Sequence, residues 1–164
     1  MTLVILGLGN DLLGDDGIGL LAAERLRSLE GPDVTVRTTA QSGLYLLEHV
    51  QGFDDAIVVD SVVGDHPGSV RELRGADVRP LPVPSAHYAG LPEALALARA
   101  SGLRVPLRLR IYGVEIPLSQ RIGSEPSPDV MAALPRLVAT VVHSAQEWGY
   151  AMGCAADGEA VSHA

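Results

Sequence analysis

The sequence predicts an α/β protein, a three-layer αβα sandwich around a mostly parallel, twisted sheet of about five strands. Three observations predict it. Apolar runs of strand length alternate with longer helix-like segments along nearly the whole chain. The first run, Leu3-Val4-Ile5-Leu6, is continuous rather than alternating, as expected of a parallel strand covered on both faces. It leads into a Gly-rich turn and then a helical pattern, so strand, loop and helix follow one another within residues 2–19. No internal repeat and no linker breaks this order, and 164 residues suit one domain.

Each element has its own warrant. Leu3 to Gly7 is the first strand. The first helix runs from about Asp16 to Glu30, with Ile18, Leu21, Ala22, Leu26 and Leu29 on one stripe, and Gly31-Pro32 stops it. Val34 to Arg37 is a short second strand. Ser42 to Val50 is a second helix, with Leu44 and Leu47 inward and Leu46 a third candidate. Ala56 to Asp60 is the third strand, four apolar residues ending in an acid. Gly64, Pro67 and Gly68 mark a turn, and Ser69 to Leu73 alternates like an edge strand. Gly75 to Ser85, with Pro80, Pro82 and Pro84, is too irregular for regular structure. Tyr88 to Ser101 is an Ala- and Leu-rich helix. Arg104 to Gly113 is the fifth strand, alternating around Leu107, Leu109 and Ile111. Glu115 to Ser127 is a long loop. Pro128 to Trp148 is the last helix, with Pro128 suited to its first position. Residues 1–148 are therefore expected to form one α/β domain, and residues 149–164, small and polar, a flexible C-terminal tail.

Composition excludes several classes. Apolar residues make up 47% and charged residues 20%, the balance of a globular chain. A net charge of -8 argues against nucleic acid and against an anionic membrane surface as partners. The single cysteine, Cys154, excludes an intrachain disulfide and a multi-cysteine zinc site. The N-terminus lacks the basic region of a signal peptide, and no apolar stretch approaches the roughly 20 residues of a membrane span. A soluble, cytoplasmic protein is expected. Composition leaves the oligomeric state open.

The residues able to do chemistry sit at strand ends. In open α/β sheets ligands bind beyond the carboxyl ends of the strands. Asp15 and Asp16 follow the first strand and Asp60 ends the third. One of Asp15 and Asp16 can serve as a helix N-cap, which leaves the other over. Asp60 reads either as a turn acid or as a site acid. His87, just before the third helix, reads by itself as a capping or surface residue. With two carboxylates it completes a donor set suited to nickel, zinc or manganese.

Competing chemistry is poorly supported. Gly7-Leu8-Gly9 resembles the start of a dinucleotide fingerprint, but Leu12 stands at the third glycine position. No acid follows the second strand and the chain contains no lysine. Gly7 and Gly9 read more simply as residues for tight turning and close packing. Ser42, Ser61 and Ser85 lack a nucleophile-elbow motif. Cys154 has no base beside it, and His49, His66, His143 and His163 have no comparable setting. His143 and Trp148 read as surface and packing residues.

Four segments carry a resemblance. They are Gly7–Gly19 (GLGNDLLGDDGIG), Ile57–Val70 (IVVDSVVGDHPGSV), Ser85–Leu95 (SAHYAGLPEAL) and Tyr112–Val130 (YGVEIPLSQRIGSEPSPDV). In this order they resemble the maturation endopeptidases of [NiFe] hydrogenases, across residues 2–148. The resemblance implies an endopeptidase that removes the C-terminal extension of a hydrogenase large-subunit precursor once nickel has been inserted. It implies that nickel arrives with the precursor, and leaves open whether the resting protein holds metal. The family's metal-contacting positions, expected also to be needed for cleavage, fall on Asp16, Asp60 and His87. Gly7, Gly9 and Asn10 would shape the first loop, Asp15 would support it or cap a helix, and Glu115 would help shape the site. One departure lies after the second strand. Many relatives have Asp-Gly-Gly there, whereas this chain has Thr38-Thr39-Ala40-Gln41-Ser42-Gly43. Two other readings use the same residues differently: a nickel-binding chaperone that hydrolyses nothing, and a Rossmann-like nucleotide-binding module. Shortening of the precursor separates out the first, and thermal stabilisation by NAD or ATP the second.

Overall fold

A computed structural model describes residues 1–73 and 87–153. The Pro-rich stretch, Ser85, Cys154 and His163 lie outside the described residues. Five strands form one sheet: β1 (Leu3–Leu8), β2 (Val34–Thr39), β3 (Asp55–Val63), β4 (Val70–Leu73) and β5 (Arg108–Ile116). Their order is β2-β1-β3-β5-β4. The first four are mutually parallel, and β4 runs antiparallel to β5 at the edge. Four α-helices cover the sheet: α1 (Ile18–Leu26), α2 (Leu47–Val50), α3 (Leu91–Ala100) and α4 (Pro128–Glu147).

The layering follows from strand parity. Side chains alternate across a strand. Leu3 and Ile5 of β1, with Ile57 and Val59 of β3, join the core under α1 and α4. Val4, Leu6 and Leu8, with Ala56 and Val58, join the core under α2 and α3. Every residue of β1 is buried, as expected for a strand covered on both faces. The three-layer sandwich and its mostly parallel five-stranded sheet are as expected.

Several boundaries differ, each for a physical reason. The first helix is shorter than its apolar stripe. A 3₁₀ segment, Asp11–Gly17, precedes α1, and a second, Arg27–Leu29, follows it. The segment from Ser42 opens with a 3₁₀ turn, Gly43–Leu46, whose tighter winding turns Leu44 outward, leaving it 64% exposed, and buries Leu46. The third helix starts at Leu91, because Gly90 has φ 82° and ends the preceding turn in a left-handed conformation. The fifth strand lies further along than expected. Leu107 is 77% exposed, and β5 continues through Glu115 to Ile116, since its register is set by pairing Val63 with Ile116 on β3. That pairing takes Glu115 out of the expected loop.

Packing also continues beyond Trp148. Tyr150 is buried and its hydroxyl donates to Asp55 Oδ2 at 2.5 Å, while Arg108 grips the same carboxylate at 2.7 and 2.6 Å. The Gly153 N–H donates to the Leu29 carbonyl at 2.9 Å. The first five residues of the expected tail, 149–153, are thus tied to the amino-terminal rim of the sheet. Arg108 and Arg110 also stack on Trp148, 4.8 and 5.0 Å from its ring centre.

Candidate active site

Parity places the site as it places the core. Asp60 and Ser61 are neighbours on β3 and so face opposite sides of the sheet. Asp60 turns toward α3, where Tyr88 N–H donates to its Oδ2 at 3.1 Å. Ser61 turns toward α1, and its hydroxyl donates to Asp16 Oδ1 at 2.5 Å. The Ser61 N–H donates to Asp60 Oδ1 at 2.8 Å. The carboxyl end of the central strand therefore holds one carboxylate directly and a second through its neighbour. His87 closes the set from the turn ahead of α3, with Nε2 3.2 Å from Asp16 Oδ2.

Asp16, Asp60 and His87 offer ligand atoms that all lie within 4.8 Å of one another. Metal–oxygen and metal–nitrogen bonds of about 2.0–2.2 Å separate two ligand atoms by about 3–4 Å, so small side-chain rotations would bring all three onto one cation. Asp60 is 0% exposed, Asp16 1%, and the His87 side chain 11%. The imidazole is the member of the set that opens toward solvent.

Burial governs the electrostatics. It pushes the Asp60 carboxyl up to about 7, against the opposing pull of His87 and of the Ser61 and Tyr88 N–H bonds. His87 is raised above its ordinary value, first by its hydrogen bond to Asp16, with burial opposing and Asp60 adding to the rise. The Gln41 backbone adds a smaller upward pull on the ring, and the Gly43 N–H donates to the His87 carbonyl at 3.3 Å. Gly43, in the segment after β2, thus helps to hold the histidine in place. At neutral pH the set holds protons that a divalent cation would displace.

The remaining candidates divide clearly. Neither Asp15 nor Asp16 caps α1, whose N-cap position is Gly17 with no side-chain bond. Asn10 caps the preceding 3₁₀ segment by accepting from the Leu12 N–H at 3.0 Å, and so shapes the first loop. Gly9, at φ 153°, leaves no room for a side chain, since a Cβ would lie 2.2 Å from the Asp16 carbonyl. Asp15 is a support. Its carboxylate accepts from the Ser127 N–H at 2.5 Å and from the Ser127 hydroxyl at 3.1 Å. Ser127 is the N-cap residue of α4, so Asp15 places a negative charge at the start of a 20-residue helix. Asp15→Ala is expected to lower stability by about 2 kcal/mol, because a part-buried N–H loses its acceptor. Urea unfolding measures this, and an unchanged midpoint would show that α4 does not depend on Asp15.

Glu115 touches none of the trio. It accepts from the His66 N–H at 2.9 Å and from Arg71 at 2.7 Å. Burial opposes its charge, but these bonds outweigh burial and hold its pKa below the usual range. It organises the turn between β3 and β4 rather than the centre. His66 and His143 are exposed, and His49 bonds Gln41 at 2.8 Å. Sequence reasoning overlooked three supports: Ser61, the Tyr88 N–H, and Gln120, whose Oε1 accepts from the Asp15 N–H at 3.1 Å. The position of Ser61 beside a strand-end acid was the one signal available for it.

Fold and site together define an α/β protein with a buried carboxylate–imidazole centre at the carboxyl edge of its sheet, an arrangement suited to a hydrolase that engages a metal. The chain belongs to the hydrogenase maturation protease family, whose model matches residues 22–144. It is 32% identical over 157 residues to the hydrogenase 2 maturation protease of Escherichia coli K12, covering 90% of this chain and 94% of that protein. Its fold superposes on the E. coli hydrogenase maturating endopeptidase HybD with a TM-score of 0.74 at 27% identity, covering 91% of this chain and 94% of the other. The [NiFe] hydrogenase maturation protease HybD of Thermococcus kodakarensis gives 0.64 at 26% identity, covering 88% and 99%. The chain is therefore a peptidase of hydrogenase maturation.

Proposed function

We propose that this protease removes the C-terminal extension of a nickel-loaded [NiFe] hydrogenase large-subunit precursor, and that Asp16, Asp60 and His87 are both its metal-reading and its cleavage-essential residues. The convergence of the three ligand atoms within 4.8 Å of one another carries the reading. Two carboxylates and an imidazole are weaker nickel donors than the thiolates that hold the metal in a precursor. A centre of this kind can touch nickel that is already bound without extracting it. Only a loaded precursor makes that contact, so the metal itself becomes the specificity element. Nickel is thus part of the substrate, and the precursor is the partner.

We propose a cytoplasmic location for the protein, where a precursor would meet it before assembly. Among the described residues no helix is long and apolar enough to cross a membrane. Membership of a protease family favours cleavage over a chaperone that merely holds nickel. Gly7, within β1, serves close helix packing, since a Cβ there would lie 2.4 Å from the Gly19 carbonyl; Leu12 at the third glycine position and the lack of any lysine weigh against a nucleotide cradle.

The test is to incubate purified precursor, with and without nickel, with the protein and to follow its size by gel and mass spectrometry. A shortened product from the nickel-loaded form alone is expected. Equal cleavage of both forms would remove metal reading, and cleavage of neither would return the chaperone reading to first place.

A further inference from the structure

We infer that the apolar cleft beside Asp16 is a side-chain subsite, which receives one uncharged, apolar side chain of the polypeptide next to the bond being cut. This rests on the processing activity proposed above. The cleft has a volume of about 180 Å³, and its walls are Leu13, Val63, Ile116, Pro117 and Leu118. Asp16 and Gln120 complete the lining.

Size selects the occupant. A cavity of about 150 Å³ takes a benzene ring, whereas sites for cofactors and small molecules run to about 300–1,000 Å³. One branched or aromatic side chain therefore fits, and a cofactor does not. Charge selects it further. Among the described lining residues Asp16 alone carries an ionisable group, and its oxygens are already engaged by Ser61 and His87, so an acidic side chain would meet a like charge and a basic one would lose its water among apolar walls.

The cleft is held in place by the same elements as the trio. Val63 and Ile116 are register partners at the ends of β3 and β5. Leu13 lies in the kinked 3₁₀ segment that carries Asp16. Gln120 donates to the Pro117 carbonyl at 2.8 Å and accepts from the Asp15 N–H at 3.1 Å, which pins the loop wall to the residue before Asp16. Since Asp16 reaches His87 Nε2 at 3.2 Å, a side chain seated in the cleft brings its own backbone alongside the trio. Leu118, 65% exposed, keeps an apolar surface in water at this cleft, where a bound side chain would cover it.

The test uses nickel-loaded precursor and the intact protease. The residues flanking the cut, located from the mass of the mature product, are changed singly to Ala and to Asp. The protease is made as wild type, as Val63→Phe, which narrows the cleft, and as Leu118→Asp, which charges its wall. At one flanking position Asp is expected to lower kcat/KM by about tenfold or more. Val63→Phe is expected to lose about tenfold on the parent precursor but only about twofold on the Ala precursor, since the smaller side chain still fits. Leu118→Asp is expected to raise KM more than it lowers kcat. If Val63→Phe does not fold, Leu118→Asp carries the test alone, because its exposed position leaves the core untouched. Wild-type cleavage with every substitution within about twofold of the parent would overturn the subsite while leaving the processing activity standing. Failure of the wild type on every precursor would overturn the activity itself, and the subsite with it.

Discussion

Asp60→Asn is expected to cut processing of the nickel-loaded precursor by at least about a hundredfold in kcat/KM, since losing the charge of the proposed metal-contacting carboxylate weakens that contact at least as much as a lost supporting bond does. The same substitution is expected to change how stability depends on pH. Folded Asp60 holds its proton up to about pH 7, against an ordinary value of 3.8. Between those values the native state binds more protons than the unfolded state, so wild-type stability falls as pH rises through that window and then levels off. His87, also raised, contributes stability that is present below its ordinary 6.5 and is lost as pH rises through its folded value.

Asparagine removes the Asp60 part of that slope. It also brings a cost that does not vary with pH. Both Asp60 oxygens accept backbone N–H bonds, from Ser61 and Tyr88, and the amide NH₂ must face one of these donors at a cost of about 1–3 kcal/mol. The variant should therefore be less stable than wild type near pH 4 and gain on it by a few kcal/mol by pH 8, an upper bound set by about 1.4 kcal/mol per pH unit. Urea unfolding of the metal-free proteins at several pH values reads the difference. Undiminished cleavage would remove Asp60 from the mechanism. Parallel pH profiles would mean that its carboxyl is not desolvated.

Gly19→Ala is expected to be the most damaging small substitution for stability, at about 3 kcal/mol or more. A Cβ there would lie 2.2 Å from the Leu8 carbonyl and 2.5 Å from the Val59 carbonyl. Both atoms belong to central strands of the sheet, so they cannot give way without opening its ladders. Helix α1 must lift instead, exposing the core of Ile18, Ala22 and Leu26. Alanine's helix propensity returns only about 1 kcal/mol. A total stability of about 5–15 kcal/mol is typical, so the loss is a large share of it. The lift also draws Asp16 away from Ser61 and His87, and cleavage should fall along with the melting temperature. An unchanged melting temperature would show that helix and sheet do not approach so closely.

Both predictions mark where sequence and structure part. The strands β1 and β3 are legible because each is a nearly unbroken apolar run with buried neighbours on both sides. The expected start of β5 at Arg104 misplaced the strand, because the alternation around Leu107 and Leu109 lies at its entry, whereas its end is set by pairing with β3. Leu44 reads as inward on a helix of 3.6 residues per turn and points outward from the 3₁₀ turn that forms. Asp16, Asp60 and His87 were legible as donor types at strand and helix ends, in segments resembling a known family. The partner of Asp15 was not, because Ser127 lies 112 residues further along.

What the sequence determined by itself is the kind of each element and the chemical identity of the donors, since periodicity and residue type are local properties. Tertiary structure alone decided that Ser61 holds Asp16, that Asp15 serves α4 rather than α1, and that Asp60 keeps its proton near neutral pH. Each of these depends on which atoms surround a group and how much water they exclude. Those surroundings are assembled from chain segments far apart in the sequence.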